Sequence, residues 1–551
     1  MAGARRSPKL AASLAQNRPL DGSAGPGPAA TRWWRGAVVY QVYVRSFCDS
    51  NGDGQGDFAG LLSKLDYIAG LGVDAIWLSP IHPSPNRDWG YDVSDYEGVH
   101  PDYGTLDDFN ALVTAAHARG LKIILDEVLA HTSDEHAWFA ASRDGDESKR
   151  DWYVWADPKD DGTVPNNWLS VFGGPAWAYQ PLLRQYYHHK FLRQQPKLSW
   201  VQPEAREAAL KVLDLWLQRG VDGFRLDVAN AFLHDEKLTD NPAIPAKQRS
   251  SHEWSAAANM QRHLFDSNLV ENRALLDVVR RRVENFDNRF VFGEFSEEFE
   301  RSGCYLPSDK GLHAGYNFAL LMTRDAQSIV SHLKTLAAYP HHWPCIAFSN
   351  HDVIRTVSRF GPDSAKVMLA LLFAMRGTAL LYQGEELGLP EVDLRRDQLR
   401  DPVGDLYFPL FKGRDGCRTP MPWDAAKLNL GFSTGTPWLP LGPEHAALAV
   451  SAQEKDNNSP LAYARAFLKA RKTLPAMIAG DLVLLDAPAP VIAFTRGSAL
   501  ICVFNLSDMT QRWSVALAAR EIAIGTGGAR LDNGVVNLPP LSAWFGQFQN
   551  G

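Results

Sequence analysis

The stretch VDGFRLDVA (221–229) decides the fold class. It is a short run of apolar and β-branched residues, typical of a buried strand, and polar side chains stand at its end. It follows EAREAALKVLDLWLQRG (204–220), in which apolar residues recur at helical spacing and a final glycine can end the helix. A helix that leads directly into a buried strand predicts a βα unit of a parallel sheet.

The same alternation continues in both directions along the chain. The strand candidates are AVVYQVYVRSF (37–47), VDAIWLSP (73–80), LKIILDEVL (121–129), VDGFRLDVA (221–229), RFVFGEF (289–295), GLHAGYNFAL (311–320), WPCIAFSN (343–350) and GTALLYQG (377–384). Helical patterns such as FAGLLSKLDYIAGLG (58–72) and LDDFNALVTAAHARG (106–120) lie between them. Eight such units predict the α/β class and a closed (β/α)8 TIM barrel, with a doubly wound sheet as the alternative.

Two segments do not fit the barrel pattern. The connection between the third and fourth strands is far longer than an ordinary βα loop, and its aromatic and glycine-rich sequence predicts an inserted subdomain at 131–205. Residues 476–551 contain short β-like runs, which predict a C-terminal antiparallel β domain. The barrel itself is assigned to 33–130 and 206–475, and residues 1–32 are expected to form a flexible leader.

Composition narrows the class of protein further. A hydrophobic fraction of 45% with 17 Trp excludes a disordered or fibrous chain. The formal net charge of −7 is spread without a basic block, so neither nucleic acid nor an anionic membrane is expected as a partner. The five Cys are scattered and odd in number, which favours reduced thiols. No apolar run reaches the ~18–20 residues that cross a bilayer. We expect a cytoplasmic monomer or homodimer, and a periplasmic location is less favoured.

In a (β/α)8 barrel the catalytic groups stand at the C-terminal ends of the strands. These ends combine carboxylates with histidine and arginine: Asp92, Asp126, His131, Arg225, Asp227, Glu294, Asn350, His351 and Asp352. Several buried carboxylates at one rim are costly, which favours a functional site over ion pairs that merely brace the loops.

Four motifs on four successive catalytic strands carry a family resemblance. DEVLAH (126–131), GFRLDVAN (223–230), Glu294 and FSNHD (348–352) resemble glycoside hydrolase family 13 in order and spacing. GYDVSDY (90–96), YQGEELGLP (382–390) and GRDGCRTPMPW (413–423) resemble more particularly its α-glucosidases of the bacterial oligo-1,6-glucosidase kind, including transglucosylating α-glucosidases. The likeness extends from residue 33 to the end of the chain.

The resemblance implies a retaining mechanism with two carboxyl groups. Asp227 would be the nucleophile, kept ionised by Arg225 on the same strand, and Glu294 would be the acid and then the base. Asp352 would grip sugar hydroxyls and favour the distorted ring. Glu294 is preferred over its acidic neighbours because it alone lies at a strand end.

The resemblance also implies a closed pocket for one terminal glucose. Asp92 would pair with Arg414, or with Arg418 as the alternative, and close the pocket beneath the sugar. Tyr91 would provide a stacking face and Phe172 of the insert would line the wall. His131 and His351 are expected to donate hydrogen bonds to the same glucose. The expected substrates are short α-glucosides of the maltose and isomaltose type, and sucrose, with transglucosylation as a side reaction.

The segment DSNGDGQGD (49–57) alternates oxygen-bearing side chains at every second position: Asp49, Asn51, Asp53, Gln55 and Asp57. This alternation lets a tight loop wrap one hard cation. An EF-hand is excluded because Gly60 stands where that loop requires a bidentate glutamate. The resemblance implies a structural Ca²⁺ or Mg²⁺ in the first βα loop, with Gln55 binding through its carbonyl. A metal-free loop of Asx turns is the alternative.

Alternative functions differ in what happens to the covalent intermediate. A predominant transglucosylase or a sucrose-acting enzyme would use the same scaffold, and a non-catalytic barrel would be expected to lack Asp227 or Glu294, both of which this chain keeps.

Overall fold

The computed structural model describes residues 32–249, 256–296, 305, 310–515 and 519–548. The expected leader lies outside the described residues, except for its last residue. Numbered along the described chain, the strands are β1 (Val38–Val42), β2 (Ala75–Leu78), β3 (Lys122–Glu127), β4 (Trp155–Ala156), β5 (Trp177–Gln180), β6 (Gln185–His188), β7 (Gly223–Leu226), β8 (Phe290–Phe295), β9 (Ala314–Asn317), β10 (Cys345–Ile346), β11 (Thr378–Tyr382), β12 (Leu482–Leu484), β13 (Val491–Arg496), β14 (Leu500–Asn505), β15 (Gln511–Ser514), β16 (Ala519–Glu521), β17 (Arg530–Asp532), β18 (Val535–Leu538) and β19 (Ser542–Phe548).

Eight of these strands form one parallel sheet in the order β10-β11-β1-β2-β3-β7-β8-β9. A parallel bridge between Gly315 in β9 and Pro344, just before β10, brings the two edges together and closes the barrel. Each barrel strand lies within one of the eight predicted stretches, so the predicted (β/α)8 barrel is confirmed. The observed strands are shorter, because the ends of the apolar runs turn into the loops that carry the polar groups.

The helices among the described residues are Phe58–Ser63, Leu65–Leu71, Leu106–Ala118, Ala137–Arg143, Glu147–Arg150, Pro203–Gln218, Asn272–Glu284, Phe318–Leu321, Ala326–Ala337, Thr356–Phe360, Ala365–Ala374, Pro402–Tyr407, Val450–Gln453, Pro460–Arg471 and Pro475–Ala479. The single helix predicted over 58–72 is two helices, because Lys64 departs from helical geometry at φ −110° and ψ 5°. Gly72 and Gly220 end their helices at φ 88° and φ 94°, a left-handed conformation that glycine adopts without strain.

The predicted insert and C-terminal domain are both present. After β3 the chain forms a small antiparallel sheet, β4-β6-β5. Beyond the helix Pro475–Ala479 it forms a five-stranded sheet, β12-β13-β14-β19-β16, and a three-stranded sheet, β15-β18-β17. The insert leaves the barrel at the C-terminal end of β3, so it stands beside the mouth at which the predicted catalytic residues meet.

Side chains that point inward from the barrel strands form a packed interior below that mouth. Phe290 and Phe292 of β8 lie with Trp77 of β2 in one buried cluster, and the Trp77 and Phe292 rings meet edge to face at 5.7 Å. Side chains of a strand alternate between its two faces, so Glu294 shares the inward face of Phe290 and Phe292. Asp227 follows Arg225 on the inward face of the neighbouring strand by the same rule.

Candidate active site

Arg225 lies at the centre of the barrel mouth, between the carboxyl groups of the two predicted catalytic residues. Its Nη1 donates to Asp227 Oδ1 at 2.8 Å, and its Nη2 lies 2.7 Å from Glu294 Oε1. Nη1 also donates to Asp126 Oδ1 at 2.6 Å. The Arg225 side chain is fully buried. Asp227 and Glu294 therefore contact the two terminal nitrogens of one guanidinium, close enough for one sugar to meet both.

Three carboxyl groups around one guanidinium favour retention of a proton near neutral pH. Burial raises the pKa of Glu294 to about 7, opposed by Arg225 and reinforced by the charge of Asp227. Burial also raises the pKa of Asp227 and of Asp126, again opposed by Arg225. If all three ionised, three negative charges would face a single positive charge in a buried site. This arrangement can hold one carboxyl group protonated as a general acid while another is an anionic nucleophile.

Tyr316 and Val228 complete the surroundings of Glu294. The Tyr316 hydroxyl donates to Glu294 Oε1 at 3.1 Å, and the Val228 backbone N–H lies 3.4 Å from Oε2. Val228 has φ 36° and ψ 50°, a left-handed conformation that is strained for a β-branched residue. That backbone turn brings the N–H that follows Asp227 toward the neighbouring carboxyl group.

Tyr91 and His351 form a pair of parallel rings beside the carboxylates. Their rings stack with centroids 5.3 Å apart and an interplanar angle of 1°. Gln41 Nε2 lies 2.8 Å from His351 Nδ1, so Nδ1 accepts and Nε2 carries the imidazole proton toward the Tyr91 hydroxyl. The Tyr91 hydroxyl in turn donates to Asp126 Oδ2 at 3.1 Å. Burial lowers the pKa of His351 to about 3, so this ring is neutral at neutral pH.

Asp352 is an anion held by two arginines. Its Oδ1 accepts from Arg418 Nη2 at 3.0 Å and from Arg414 Nη1 at 3.3 Å. Its Oδ2 lies 3.3 Å from His351 Nε2. Burial acts to raise the pKa of Asp352, but His351 and the two guanidinium groups hold it well below its ordinary value. Because His351 is neutral, the two arginines carry most of this effect, and Asp352 is ionised throughout the neutral range.

The expected ion pair between Asp92 and Arg414 is wrong, because Arg414 Nη2 donates instead to Asp88 Oδ1, at 2.7 Å. The Asp92 carboxylate accepts from the Ser84 hydroxyl at 2.8 Å and from the backbone N–H groups of Arg87 and Asp88 at 2.9 Å. Asp92 therefore shapes the turn after β2, because three of the four acceptor positions of its carboxylate are taken within that turn.

The turn conformation explains the exchange of partners. Trp89 and Gly90 both have positive φ, at 49° and 106°, so the chain reverses between Asp88 and Tyr91. Because of this reversal, the Asp88 side chain points toward Arg414, and Tyr91 lies at the barrel mouth. The Asp92 side chain instead accepts hydrogen bonds from N–H groups of its own turn. Arg418, the alternative partner in the sequence, contacts Asp352 and the backbone oxygen of His351 at 2.8 Å.

His131 and Phe172 line the same mouth from the side of the insert. His131 is buried, its Nε2 lies 2.9 Å from the Tyr91 backbone oxygen, and burial lowers its pKa to about 4. The Phe172 ring lies under the Arg414 guanidinium, with 5.3 Å between Cζ and the ring centroid. Phe172 and Phe191, 5.8 Å apart between ring centroids, also line a cavity of about 600 Å³ in the insert.

Several residues of this network were not predicted as site residues from the sequence. Tyr316 and Gln41 belong to predicted strands, but neither was assigned a contact in the site. Asp126 was marked by its place at a strand end and by the DEVLAH motif, but it was given no role of its own. Asp88 stands three residues before Tyr91, and only the turn at Trp89 shows which of two nearby aspartates reaches Arg414. Asp401, whose contacts are described below, lies in a long insert without recognisable periodicity.

The loop of the predicted cation site is organised by Asx turns. Asp49 Oδ1 accepts from the N–H groups of Asn51 at 3.0 Å and Gly52 at 2.7 Å, and Asn51 and Asp53 accept from the N–H two residues on, each at 2.8 Å. Asp57 caps the helix Phe58–Ser63 by accepting from Gly60 N at 2.6 Å. Across the described ranges, no group of three or more His, Cys, Asp and Glu side chains is arranged to hold a metal ion.

The oxygen chemistry of this loop nevertheless fits a hard cation. The carboxamide oxygen of Asn51 and Oδ1 of Asp53 each accept one hydrogen bond and keep a second lone pair. Gln55 provides a carbonyl in the same turn. Oxygen ligands of these types are the ones that Ca²⁺ and Mg²⁺ take.

Comparison with known proteins places this barrel and site in a family. The α-amylase catalytic domain matches residues 41–480. A probable α-glucosidase of Rhizobium meliloti (strain 1021) is 44% identical over 533 residues, covering 93% of this chain and 96% of that protein. An oligo-1,6-glucosidase of Parageobacillus thermoglucosidasius is 36% identical over 524 residues, covering 87% and 91%.

Solved structures agree with the sequence relatives. The crystal structure of an α-glucosyl transfer enzyme, XgtA, superposes with a TM-score of 0.91 at 45% identity, covering 94% of this chain and all of that one. The trehalulose synthase MutB from Pseudomonas mesoacidophila MX-45 gives a TM-score of 0.84 at 32% identity and covers 95% of this chain. The closed (β/α)8 barrel, the paired carboxyl groups at its mouth and these relatives together identify a glycoside hydrolase. The chain belongs to the α-amylase family, glycoside hydrolase family 13, and is an α-glucosidase within it.

Among the described residues, every helix is too short or too polar to cross a bilayer.

Proposed function

We propose that this α-glucosidase is exo-acting and retaining, and that it releases terminal glucose from short α-glucosides through a covalent β-glucosyl-enzyme intermediate. One observation carries the proposal: Asp227 and Glu294 contact Nη1 and Nη2 of the same buried guanidinium, at 2.8 Å and 2.7 Å. Retaining glycosidases need two carboxyl groups about 5–5.5 Å apart, and a shared guanidinium keeps Asp227 and Glu294 near enough for one sugar to contact both.

In the first step an Asp227 oxygen attacks C1 of the terminal glucose. A C1–O ester bond to Asp227 forms as the glycosidic C1–O bond breaks, and the leaving oxygen takes the proton of Glu294. Arg225 stabilises the carboxylate of Asp227 before attack and the carboxylate of Glu294 after proton transfer. The raised pKa of Glu294, about 7, suits a group that must hold a proton near neutrality and release it in the transition state.

In the second step a water molecule gives its proton to Glu294, and its oxygen bonds to C1. The ester bond breaks, glucose leaves with its original anomeric configuration, and Asp227 is again a carboxylate. A sugar hydroxyl in place of water gives transglucosylation by the same bond changes. The similarity to the α-glucosyl transfer enzyme XgtA and to the trehalulose synthase MutB supports this side reaction.

The exo mode follows from the ion pairs on the far side of the pocket. Arg414 joins Asp88 of the loop after β2 to Asp352 of the loop after β10, with contacts of 2.7 Å and 3.3 Å. A wall made of these paired charges blocks further sugar units beyond the terminal glucose, so long starch chains cannot pass through. Tyr91 offers its ring to that glucose, and Asp352 accepts hydrogen bonds from the hydroxyls of the distorted ring.

Linkage preference is assigned to Val228, the residue after the nucleophile. The residue is 7% exposed, and its side chain is stiff and apolar and offers no hydroxyl to an acceptor sugar. An α-1,6 aglycone is held away by an additional CH₂ and can pass this bulk, whereas an α-1,4 aglycone would lie against it. Isomaltose is therefore expected to be cleaved at least as well as maltose.

A structural Ca²⁺ or Mg²⁺ in the loop 49–57 is part of the proposal, with Asp49, Asn51, Asp53, Gln55 and Asp57 as its oxygen ligands. The cation would bind lone pairs that the Asx turns leave free on Asn51 and Asp53, and at Asp49 it would displace one of the four hydrogen bonds that this carboxylate accepts. Its role would be to fix the first βα loop rather than to act in the reaction. A cytoplasmic location and a monomeric or homodimeric state complete the proposal.

The test is a substrate panel on the purified full-length chain: maltose, isomaltose, sucrose, kojibiose, nigerose, trehalose and soluble starch, with products separated by chromatography. The proposal expects glucose and small transfer products from the disaccharides and almost none from starch. Transfer products that outweigh free glucose at low substrate concentration would favour a predominant transglucosylase, and turnover of sucrose alone would favour a sucrose-acting enzyme. Rapid release of maltooligosaccharides from starch would contradict the exo mode.

A further inference from the structure

Asp401 is a buried residue whose carboxylate accepts hydrogen bonds from the backbone and the side chain of Arg414. Its Oδ2 accepts from Arg414 N at 2.7 Å and from Arg414 Nε at 2.9 Å. Its Oδ1 accepts from Arg414 Nη2 at 2.9 Å and from Val403 N at 3.2 Å. The Asp401 side chain has no solvent exposure. All four lone-pair positions of the carboxylate therefore have a donor, and none is left for a substrate.

The position of Asp401 is fixed by contacts of the surrounding backbone. The N–H groups of Arg400 and Asp401 donate to Asp415 Oδ2 at 2.6 Å and 2.7 Å. Gly413 has φ 76°, and a Cβ added there would lie 2.6 Å from Asp401 Oδ2, so only glycine lets the carboxylate come this close. The Trp89 indole N–H donates to Arg400 O at 2.8 Å, which ties this segment to the turn that carries Asp88.

Asp401 determines the orientation of the Arg414 guanidinium and the directions of its N–H groups. The guanidinium has five N–H groups in a planar fork. Asp401 accepts from Nε and from one side of Nη2, and this bidentate contact fixes the plane of the fork. The other Nη2 hydrogen then reaches Asp88, and Nη1 is directed at Asp352. One Nη1 hydrogen remains for a ligand.

We propose that Asp401 is a positioning residue for recognition of the terminal glucose, because it fixes the Arg414 guanidinium in the plane in which it reaches Asp88, Asp352 and the sugar. The inference rests on the proposed function, since it assigns the glucose pocket to the mouth that Arg414 lines. It concerns binding of the glucosyl unit rather than the chemical step, because Asp401 has no lone pair directed at substrate.

Asp401→Asn is the direct test. The amide nitrogen would place N–H donors against Arg414 or Val403, which are donors themselves, so the fork would turn away. We expect KM for p-nitrophenyl α-glucoside and the Ki of glucose to rise by the same factor, at least about tenfold, as expected for loss of a charge-assisted hydrogen bond. The ratio of kcat/KM for isomaltose to kcat/KM for maltose should stay unchanged, because both substrates carry the same glucosyl unit. The value of kcat should fall by a smaller factor than KM rises.

Two further variants keep the test decisive. Asp405→Asn is the matched control: it removes a carboxylate from the short helix that Asp401 caps, but the Asp405 side chain is 69% exposed and, among the described residues, its ion pair is with Arg396 at the surface. It should leave KM and Ki unchanged. Asp401→Glu keeps the charge and moves it by one CH₂, and it should fold with a Ki between those of the wild type and Asp401→Asn. If Asp401→Asn does not fold, Asp401→Glu decides the question.

The measurement combines calorimetric binding of glucose with steady-state kinetics and a melting curve for each variant. A lowered Tm in a folded Asp401 variant that keeps the wild-type glucose affinity and KM would show a purely structural role and overturn the proposal. Wild-type protein that binds glucose but turns over no α-glucoside would refute the proposed function, while the loss of glucose affinity in Asp401→Asn would still support the role of Asp401. Wild-type protein that does not bind glucose would overturn both.

Discussion

Arg225 Nη2 lies 2.7 Å from Glu294 Oε1, while its other terminal nitrogen holds the carboxylate of Asp227. The guanidinium stabilises whichever of the two carboxyl groups is ionised, and burial opposes ionisation of both. As the first step converts Asp227 from a carboxylate to an ester and Glu294 from an acid to a carboxylate, the negative charge moves from one nitrogen of Arg225 to the other. The site therefore keeps its charge balance through the reaction.

Glu294→Gln should slow substrates with poor leaving groups most. Loss of a general acid costs about 10²–10⁴-fold, and kcat/KM for maltose should fall within that range. The value for α-glucosyl fluoride should fall far less, because fluoride is a good leaving group that departs without help from a general acid. Both are measured by glucose release under initial-rate conditions, and equal losses on the two substrates would count against the acid role.

The pH dependence of kcat/KM should also identify Glu294 as the general acid. The pKa of Glu294 is raised to about 7, so its acid form is lost as pH rises through that value. For the wild type, kcat/KM for maltose should fall on the alkaline side of about pH 7. In Glu294→Gln that alkaline limb should vanish, because the amide does not titrate. A limb of the same midpoint in the variant would assign it to another group.

The variants Asp88→Asn and Asp92→Asn distinguish the ion pair with Arg414 from the hydrogen bonds that hold the turn after β2. Asp88 is the partner of Arg414, so its loss should raise KM for α-glucosides about 10–100-fold, corresponding to ~1.5–3 kcal/mol for a hydrogen bond to a charged group. Asp92 accepts from two N–H groups of its own turn, so its variant should lower Tm more than it raises KM. The reverse pattern in kinetics and melting curves would restore Asp92 as the partner.

These two aspartates also show the limit of what the sequence predicts. The eight strands and the carboxylates at their ends were predictable, because apolar runs of strand length and barrel geometry restrict where polar groups can converge. The choice between Asp88 and Asp92 was not, because it depends on the positive φ values of Trp89 and Gly90. Asp401 was missed for a related reason: tertiary contacts alone bring that part of the long insert to Arg414.

Removal of divalent cations should lower Tm by a few degrees and should change the rate at 25 °C little. A site that binds only the folded chain adds stability by mass action, about 2.7 kcal/mol at a cation concentration one hundred times Kd. Differential scanning calorimetry with chelator and then with added Ca²⁺ or Mg²⁺ measures the effect. Asp53→Ala is the control, because it removes one expected ligand from an exposed position and should abolish the response to added cation. An unchanged Tm after verified removal of metal would contradict the cation site.

Val228→Thr should move selectivity toward maltose. The hydroxyl gives an α-1,4 aglycone a hydrogen-bond partner at similar side-chain volume, and one such change in a pocket is worth ~1–3 kcal/mol at most. The measurement is the ratio of kcat/KM for isomaltose and maltose in the two proteins, with Thr bearing the same β-branch and so the same demand on the left-handed backbone. A strong preference of the wild type for maltose, or an unchanged ratio in the variant, would assign linkage selectivity to the loops around the acceptor.

Asp227 is the residue expected to form the covalent intermediate. 5-Fluoro-α-glucosyl fluoride glycosylates a retaining α-glucosidase and then hydrolyses slowly, because the ring fluorine destabilises the oxocarbenium-like transition state while fluoride is a good leaving group. After incubation and rapid acid quench, peptide mass spectrometry should find one added fluoroglucosyl group on the peptide that contains Asp227, and fragmentation should place it on that residue. Asp227→Ala should stay unlabelled and should keep the wild-type melting curve. A label on Asp126, Glu294 or Asp352, or rapid turnover of maltose by Asp227→Ala, would contradict the account.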